Sequence, residues 1–419
     1  MEEYFLTFDS VTPPGYISAI FFSPVILDES VFDSVFIFLC IRVIIQTMGM
    51  FKIHGVIKNY EWGTKDYLPS LLNVEKDGRP QAEYWMGTHP SGEAVTESGE
   101  ALSACIGHKL PYLFKVLSIA SPLSLQCHPT KAQAEEGWKR EEEDRNAGKD
   151  VNYRDDNDKP EILCALTPVT ALCGFRDFYE MKYALEKAVP ETYEKYLSSF
   201  SDIRSLFIGL FSFSSEIKNE ILSELKESVS SPSLPSSDGD FLTRAGIIRE
   251  TLEKYPGDIG SVFPLMMNVM EVEPGEALYL GPDTLHAYIR GNGIELMTAS
   301  DNVLRGGLTP KRVDISELER IMNFASYRVD VTAVRTDIGG PKWYITPAQS
   351  FNLGVVTAKS SVRLEHDSIL LSFADSHISR ADENVKLGKG ECLFVPGSAD
   401  TVSISTDGDV YIATSGYRG

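Results

Sequence analysis

The chain has 419 residues, 43% of them hydrophobic, and a formal charge of −21. That length and apolar content supply more than one core, so two or three domains are expected. A chain this acidic is repelled by a phosphate backbone, which excludes nucleic acid, and it can take up an anionic small molecule only where Lys and Arg reverse the field locally.

Residues 1–49 come first and look out of place. Val35–Ile45 is apolar apart from Arg42 and follows Asp28, Glu29 and Asp33. It is too short and interrupted for a membrane span. It also lacks the basic n-region and small-residue cleavage site of a signal peptide. We read residues 1–49 as an atypical extension, or as residues ahead of the true start, with no catalytic role. The cysteines at 40, 105, 127, 164, 173 and 392 contain no CxxC pair, so neither a disulfide framework nor a cysteine zinc site is expected. The whole fits a soluble cytoplasmic enzyme.

The segment 123–131, Leu-Ser-Leu-Gln-Cys-His-Pro-Thr-Lys, carries the first chemical signal. Leu123, Leu125 and Cys127 alternate with Ser124, Gln126 and His128, the period of a half-buried strand that Pro129 ends. Gln126 and His128 therefore share a face. Two readings stay open here: a polar-faced strand with a surface His, or half of a site for a borderline cation such as Zn²⁺. Next, Asp-Lys-Pro-Glu-Ile-Leu-Cys-Ala-Leu (158–166) opens a second apolar strand and presents Glu161 at its start. Cys127 and Cys164 flank these candidates but fit packing better than ligation.

Beyond Gly174 the period changes to that of helices. Phe178, Met181, Leu185 and Val189 mark one helix in Asp177–Phe200, and Ile217–Val229 and Phe241–Tyr255 are similar. The Ser/Pro-rich stretch Ser228–Ser237 is expected to be an exposed loop. Pro-Gly-Glu-Ala-Leu-Tyr-Leu-Gly-Pro-Asp-Thr-Leu-His-Ala-Tyr (274–288) then reads as strand, tight turn and a strand beginning at His286. That is how small jelly rolls of the cupin kind present a metal ligand. Gln126, His128, Glu161 and His286 together offer two nitrogens and two oxygens, a set that can leave a position open. A weak repeat, 389–401 against 274–286, suggests a second jelly roll in which Thr401 replaces His286, so without metal. Its role reads as packing, with one side of the helical insert as an option.

These segments together resemble a known family, type I phosphomannose isomerase, over Phe51 to the C-terminus. The resemblance rests on Tyr-Glu-Trp-Gly (60–63), Ala-Glu-Tyr-Trp-Met-Gly-Thr-His-Pro (82–90), Leu-Pro-Tyr-Leu-Phe-Lys-Val-Leu (110–117), Gln-Cys-His-Pro-Thr-Lys, Lys-Pro-Glu, the His286 segment and Ser-Asp-Asn-Val-Leu-Arg-Gly-Gly-Leu-Thr-Pro-Lys (300–311). It implies one Zn²⁺ per chain on Gln126, His128, Glu161 and His286. It places substrate-binding positions at Trp62, Glu83 and Lys115, and catalytic ones at Arg305, Glu295, Lys159 and Tyr288. One departure is local: Asp158 stands where many members carry His. The implied fold is mainly β with a helical insert, two cupin-like jelly rolls plus an α-helical domain. Its expected parts are 50–175 with 260–330 (catalytic), 176–259 (helical) and 331–419 (C-terminal, without metal).

The implied reaction interconverts mannose 6-phosphate and fructose 6-phosphate, a step that feeds GDP-mannose synthesis, in an enzyme expected to be a monomer whose partner is a small sugar phosphate. Zinc suits proton transfer between C1 and C2 because it polarises carbonyl and hydroxyl oxygens. Glu295 is a candidate base, with Lys159, Tyr288 and Glu83 as rivals. Arg305, beside Gly306 and Gly307, fits a pocket position that stabilises charge, while Lys311 fits a solvated surface charge. Two other classes compete. An Fe²⁺ dioxygenase would favour more imidazole ligands, and a sugar-binding cupin without catalysis would not need Lys and Arg beside an open metal position.

Overall fold

The computed structural model describes residues 49–231 and 239–416. The readings of 1–48, Val35–Ile45 and Cys40 among them, fall outside the described residues, as do positions 232–237 of the serine-rich link. Ser228–Ser230 of that link still belongs to a helix, Ser215–Ser230.

The metal-candidate segments lie in one ten-stranded, mainly antiparallel sheet. Its backbone is the long strand His286–Thr298. The first residues of this strand pair with Val169–Phe175 and, at one position, with Leu125–Cys127. Its second half pairs with Tyr112–Ile119 on one side and Glu161–Ala165 on the other. A bulge lies between Tyr288 and Arg290. Because side chains alternate along a strand, the extra residue exchanges the faces. Before it, His286 and Tyr288 face the inside while Ala287 and Ile289 join the helical core. After it, Glu295 and Met297 face the cavity while Ile294 and Leu296 turn outward.

The insert packs on the first half of this strand. Helices Phe178–Ala188, Ile203–Ser212, Ser215–Ser230 and Gly239–Lys254 bury an apolar face against Leu125, Cys127, Leu172, Ala287, Ile289 and Leu304. Three of them start on side-chain caps: Asp177, Asp202 and Ser214 accept first-turn N–H groups that have no helical partner. Fully buried side chains such as Phe207 and Leu225 each contribute about 1.5–3 kcal/mol.

The C-terminal strands form an eight-stranded and a four-stranded sheet enclosing a separate core that includes Leu370, Ile378, Leu393, Ile404 and Ile412. The other face of the eight-stranded sheet does not lie on the helical insert, the option raised by the sequence. Phe351, Ile369, Leu371 and Phe394 instead pack against Phe114, Val116, Ile162, Ile294 and Leu296, the outer face of the metal-bearing sheet. The chain also crosses between the two: Phe51–His54 pairs with Cys392–Val395 and Val95–Thr96, within the C-terminal sheet. Among the described residues, no helix is long and apolar enough to cross a membrane.

Candidate metal centre and substrate pocket

His128 follows the strand Leu125–Cys127, while Glu161 and His286 each open a strand. Pairing brings them together, since His286 lies opposite Gln126 and Met297 opposite Glu161. His128 and His286 are 1% exposed and Glu161 is 0%. One ligand atom from each lies within 4.8 Å of the others.

The next layer of contacts fixes the imidazole tautomers. Nδ1 of His128 lies 2.7 Å from the Asn302 carbonyl, and Nδ1 of His286 lies 2.9 Å from that of Thr284. A carbonyl only accepts, so both Nδ1 atoms carry the proton and both Nε2 atoms present lone pairs inward. Those lone pairs face a carboxylate: His128 Nε2 is 3.4 Å from Glu161 Oε2, and His286 Nε2 is 3.1 Å from Oε1. Among the described residues, Glu161 Oε2 and His286 Nε2 have no hydrogen-bond partner. Lys159 Nζ lies 3.3 Å from both His128 Nε2 and Glu161 Oε2, whereas the His286 lone pair faces the carboxylate directly, a repulsion that a borderline metal ion between them would relieve. Burial, then the Lys159 ammonium, pushes the His128 imidazole down to about 4. Burial works against charge on Glu161, yet the Lys159 ammonium holds its carboxyl well below the usual range.

Glu161 forms part of the wall of a cavity of about 530 Å³. Trp62, Glu83, Lys115, Gln126, Lys159, Tyr288, Glu295 and Arg305 all line it. Thus every candidate site residue reaches this cavity, apart from the two histidines packed behind Glu161. Lys115 and Glu295 are cross-strand partners on the cavity face. Lys115 Nζ lies 2.8 Å from Glu295 and 3.6 Å from Glu83, and it sits 5.2 Å from the Trp85 ring centroid. Burial opposes its charge, but Glu295 and Glu83 outweigh burial and raise the ammonium pKa. Glu295 is raised by burial, with Lys115 pulling the other way. Tyr288 donates its hydroxyl to Glu161 Oε1 at 3.0 Å, and Lys159 Nζ lies 3.3 Å from Oε2.

Arg305 differs from these paired lysines. It lies opposite Gln126 in the pairing of Leu304–Gly307 with Leu125–Cys127. Among the described residues it and Lys311 form no ion pair, though both line the cavity. Burial and the Arg154 charge lower the Arg305 guanidinium, and Arg305 in turn lowers Lys311. Lys311 is exposed, as its sequence reading had it, but it stands at the cavity wall rather than on a remote surface. Asp158 does not line the cavity; burial raises its carboxyl, opposed by Lys131. Cys127 and Cys164 are buried in separate cores, as packing predicts.

Sequence reasoning missed three residues. His89 and Asp301 line the cavity as a pair, with His89 Nε2 3.4 Å from the Asp301 carboxylate. Asn302, 0% exposed, supplies the carbonyl that orients His128. All three stand inside the motifs quoted above, and a polar residue within a motif whose neighbours are assigned was the available signal.

Residues 50–178 match the model of the phosphomannose isomerase type I catalytic domain. The mannose-6-phosphate isomerase of Salmonella typhimurium is 32% identical over 393 residues, covering 86% of this chain and 98% of that protein. Mannose-6-phosphate isomerase 2 of Arabidopsis thaliana is 31% identical, covering 86% and 91%. The crystal structure of the Salmonella enzyme bound to fructose 6-phosphate and zinc superposes with a TM-score of 0.78 at 30% identity, covering 88% of this chain and all of that one. At 32% identity over nearly the whole of the Salmonella enzyme and with a matching fold, the chain belongs to the type I phosphomannose isomerase family.

Proposed function

We propose that the protein interconverts mannose 6-phosphate and fructose 6-phosphate with one zinc ion per chain. The observation that carries this reading is the buried His128–Glu161–His286 group, whose carboxylate wall belongs to a cavity also lined by Arg305 and Lys311, which form no ion pair among the described residues. Zinc held by those three residues, with Gln126 as the fourth ligand, supplies Lewis-acid polarisation of the sugar oxygens.

The chain's own residues do the rest. Arg305 and Lys311 provide the local positive field that an anionic substrate needs on a protein of charge −21. Arg305 also stabilises negative charge as it develops between C1 and C2. Glu295, raised by burial and hydrogen-bonded by Lys115, takes the carbon-bound proton and returns it to the neighbouring carbon. Lys159 and Tyr288 hold sugar oxygens beside Glu161, and Trp62, with Tyr60 stacked against it at 5.9 Å, walls the sugar from water. The reading extends to a monomer acting in the cytoplasm, in keeping with five free, scattered thiols among the described residues.

The test is the appearance of fructose 6-phosphate from mannose 6-phosphate, followed by a coupled assay on the purified protein. Turnover supports the reading. Tight binding of the sugar phosphate without turnover would favour a binding module, and oxygen uptake with bound iron would favour a dioxygenase.

A further inference from the structure

Asn302 ties the turn that leads to Glu161 to the limbs bearing His128 and Arg305, which pair with each other but with no strand of that limb. Its carbonyl accepts the His128 Nδ1 proton at 2.7 Å. Its side-chain oxygen accepts from the backbone N–H of Arg154 at 2.7 Å and of Asp155 at 3.3 Å. Its amide nitrogen donates to the carbonyls of Asp155 and Asn157, each at 2.8 Å, and approaches the Asp155 carboxylate at 3.2 Å. That carboxylate closes the knot by accepting from Ser300 Oγ at 2.8 Å and the Asp301 N–H at 2.9 Å. The 154–157 turn leads straight into Lys159 and Glu161. On the other side, Asn302 leads through Val303 and Leu304 to Arg305.

An asparagine whose hydrogen bonds served only one loop would need none of this reach. Here a single buried residue sets the tautomer of one candidate ligand, holds the lead-in to a second and anchors the approach to the unpaired guanidinium. We infer that Asn302 is a positioning residue for the metal centre: its side chain locks the 154–157 turn to the 300–302 loop, so that His128 Nε2 and the Glu161 carboxylate meet at one point. The inference rests on the zinc reading above. Alanine at this position leaves the N–H groups of Arg154 and Asp155 and the carbonyl of Asn157 without their partner, and the orienting carbonyl drifts from His128.

The experiment compares wild type with Asn302→Ala. Zn²⁺ affinity of the metal-stripped proteins is measured by competition with a chromophoric chelator, beside their thermal stability and the imidazole N–H proton resonances of nitrogen-labelled histidine. The expected result is Zn²⁺ binding weakened about 10–100-fold, in line with loss of other partners that orient metal ligands, together with a shifted or broadened His128 Nδ1–H signal. Zn²⁺ affinity within about twofold of wild type and an unchanged His128 signal, with only the thermal midpoint lowered, would overturn it and leave Asn302 a loop staple. If Asn302→Ala does not fold, Asn302→Asp serves instead. It keeps the shape and both acceptor bonds but loses the donors, and a loss in the same direction is expected. Wild type that binds no Zn²⁺ would overturn the metal reading itself, which this control distinguishes from failure of the Asn302 inference.

Discussion

Arg305 is the residue where charge and shape can be separated. A guanidinium forks onto two oxygens, whereas lysine offers a point charge on a flexible stem. If Arg305 acts on charge that develops during the reaction, Arg305→Lys should lower kcat about 10²-fold or more while KM changes little. A raised KM with wild-type kcat would make it a ground-state phosphate anchor instead. His128 gives a pH prediction for the metal-stripped protein. Its imidazole titrates near 6.5 when unfolded and near 4 in the fold, where burial and Lys159 disfavour the cation. The unfolded chain therefore takes up the proton first as pH falls. The stabilisation is complete above about 6.5 and is lost on approaching 4, a change of about 3 kcal/mol. Urea midpoints across that window should show the fall, and His128→Gln should flatten it. At this scale His128, Glu161 and His286 were legible because strand and turn residues placed them at strand ends, and the structure brings those three together. Asn302 was not legible, because its partners lie 145 to 174 residues away and no local pattern announces them.

Among the elements, the bulge in His286–Thr298 does most to build the site, for it lets one strand face the metal group with His286 and the sugar cavity with Glu295. Gly291 follows it at φ +114°, and a Cβ there would meet the Pro168 carbonyl oxygen at 2.5 Å. Gly291→Ala is expected to cost about 1–3 kcal/mol through strain at that conformation and to lower kcat by moving Glu295 against Lys115. Thermal unfolding and steady-state kinetics check this, and an unchanged midpoint would contradict the assigned geometry. Helices Phe178–Ala188, Ser215–Ser230 and Gly239–Lys254 could be read from their 3.6-residue period, whereas Ile203–Ser212 was not read. The bulge could not, since a parity change leaves no composition signal. Nor could the placement of Phe51–His54, whose partner strand Cys392–Val395 stands at the far end of the chain.

At the scale of the whole molecule, a chain of net charge −21 has a cavity where Arg305, Lys311 and a buried His–Glu–His group meet. The sequence conveyed the mainly β class and the metal candidates because both depend on short-range patterns. It left open how the C-terminal sheets pack, because that depends on which apolar face meets which. They cover the back of the strands bearing Lys115, Glu161 and Glu295, and so stiffen the site from behind. Activity rests on the metal. The decisive measurement follows conversion of mannose 6-phosphate while Zn²⁺ is stripped by a strong chelator and then restored, with bound metal quantified at each stage. The expected result is one Zn²⁺ per active chain, loss of turnover on stripping and its return with Zn²⁺ in wild type but not in His286→Ala. Full turnover by protein shown to be metal-free would contradict it.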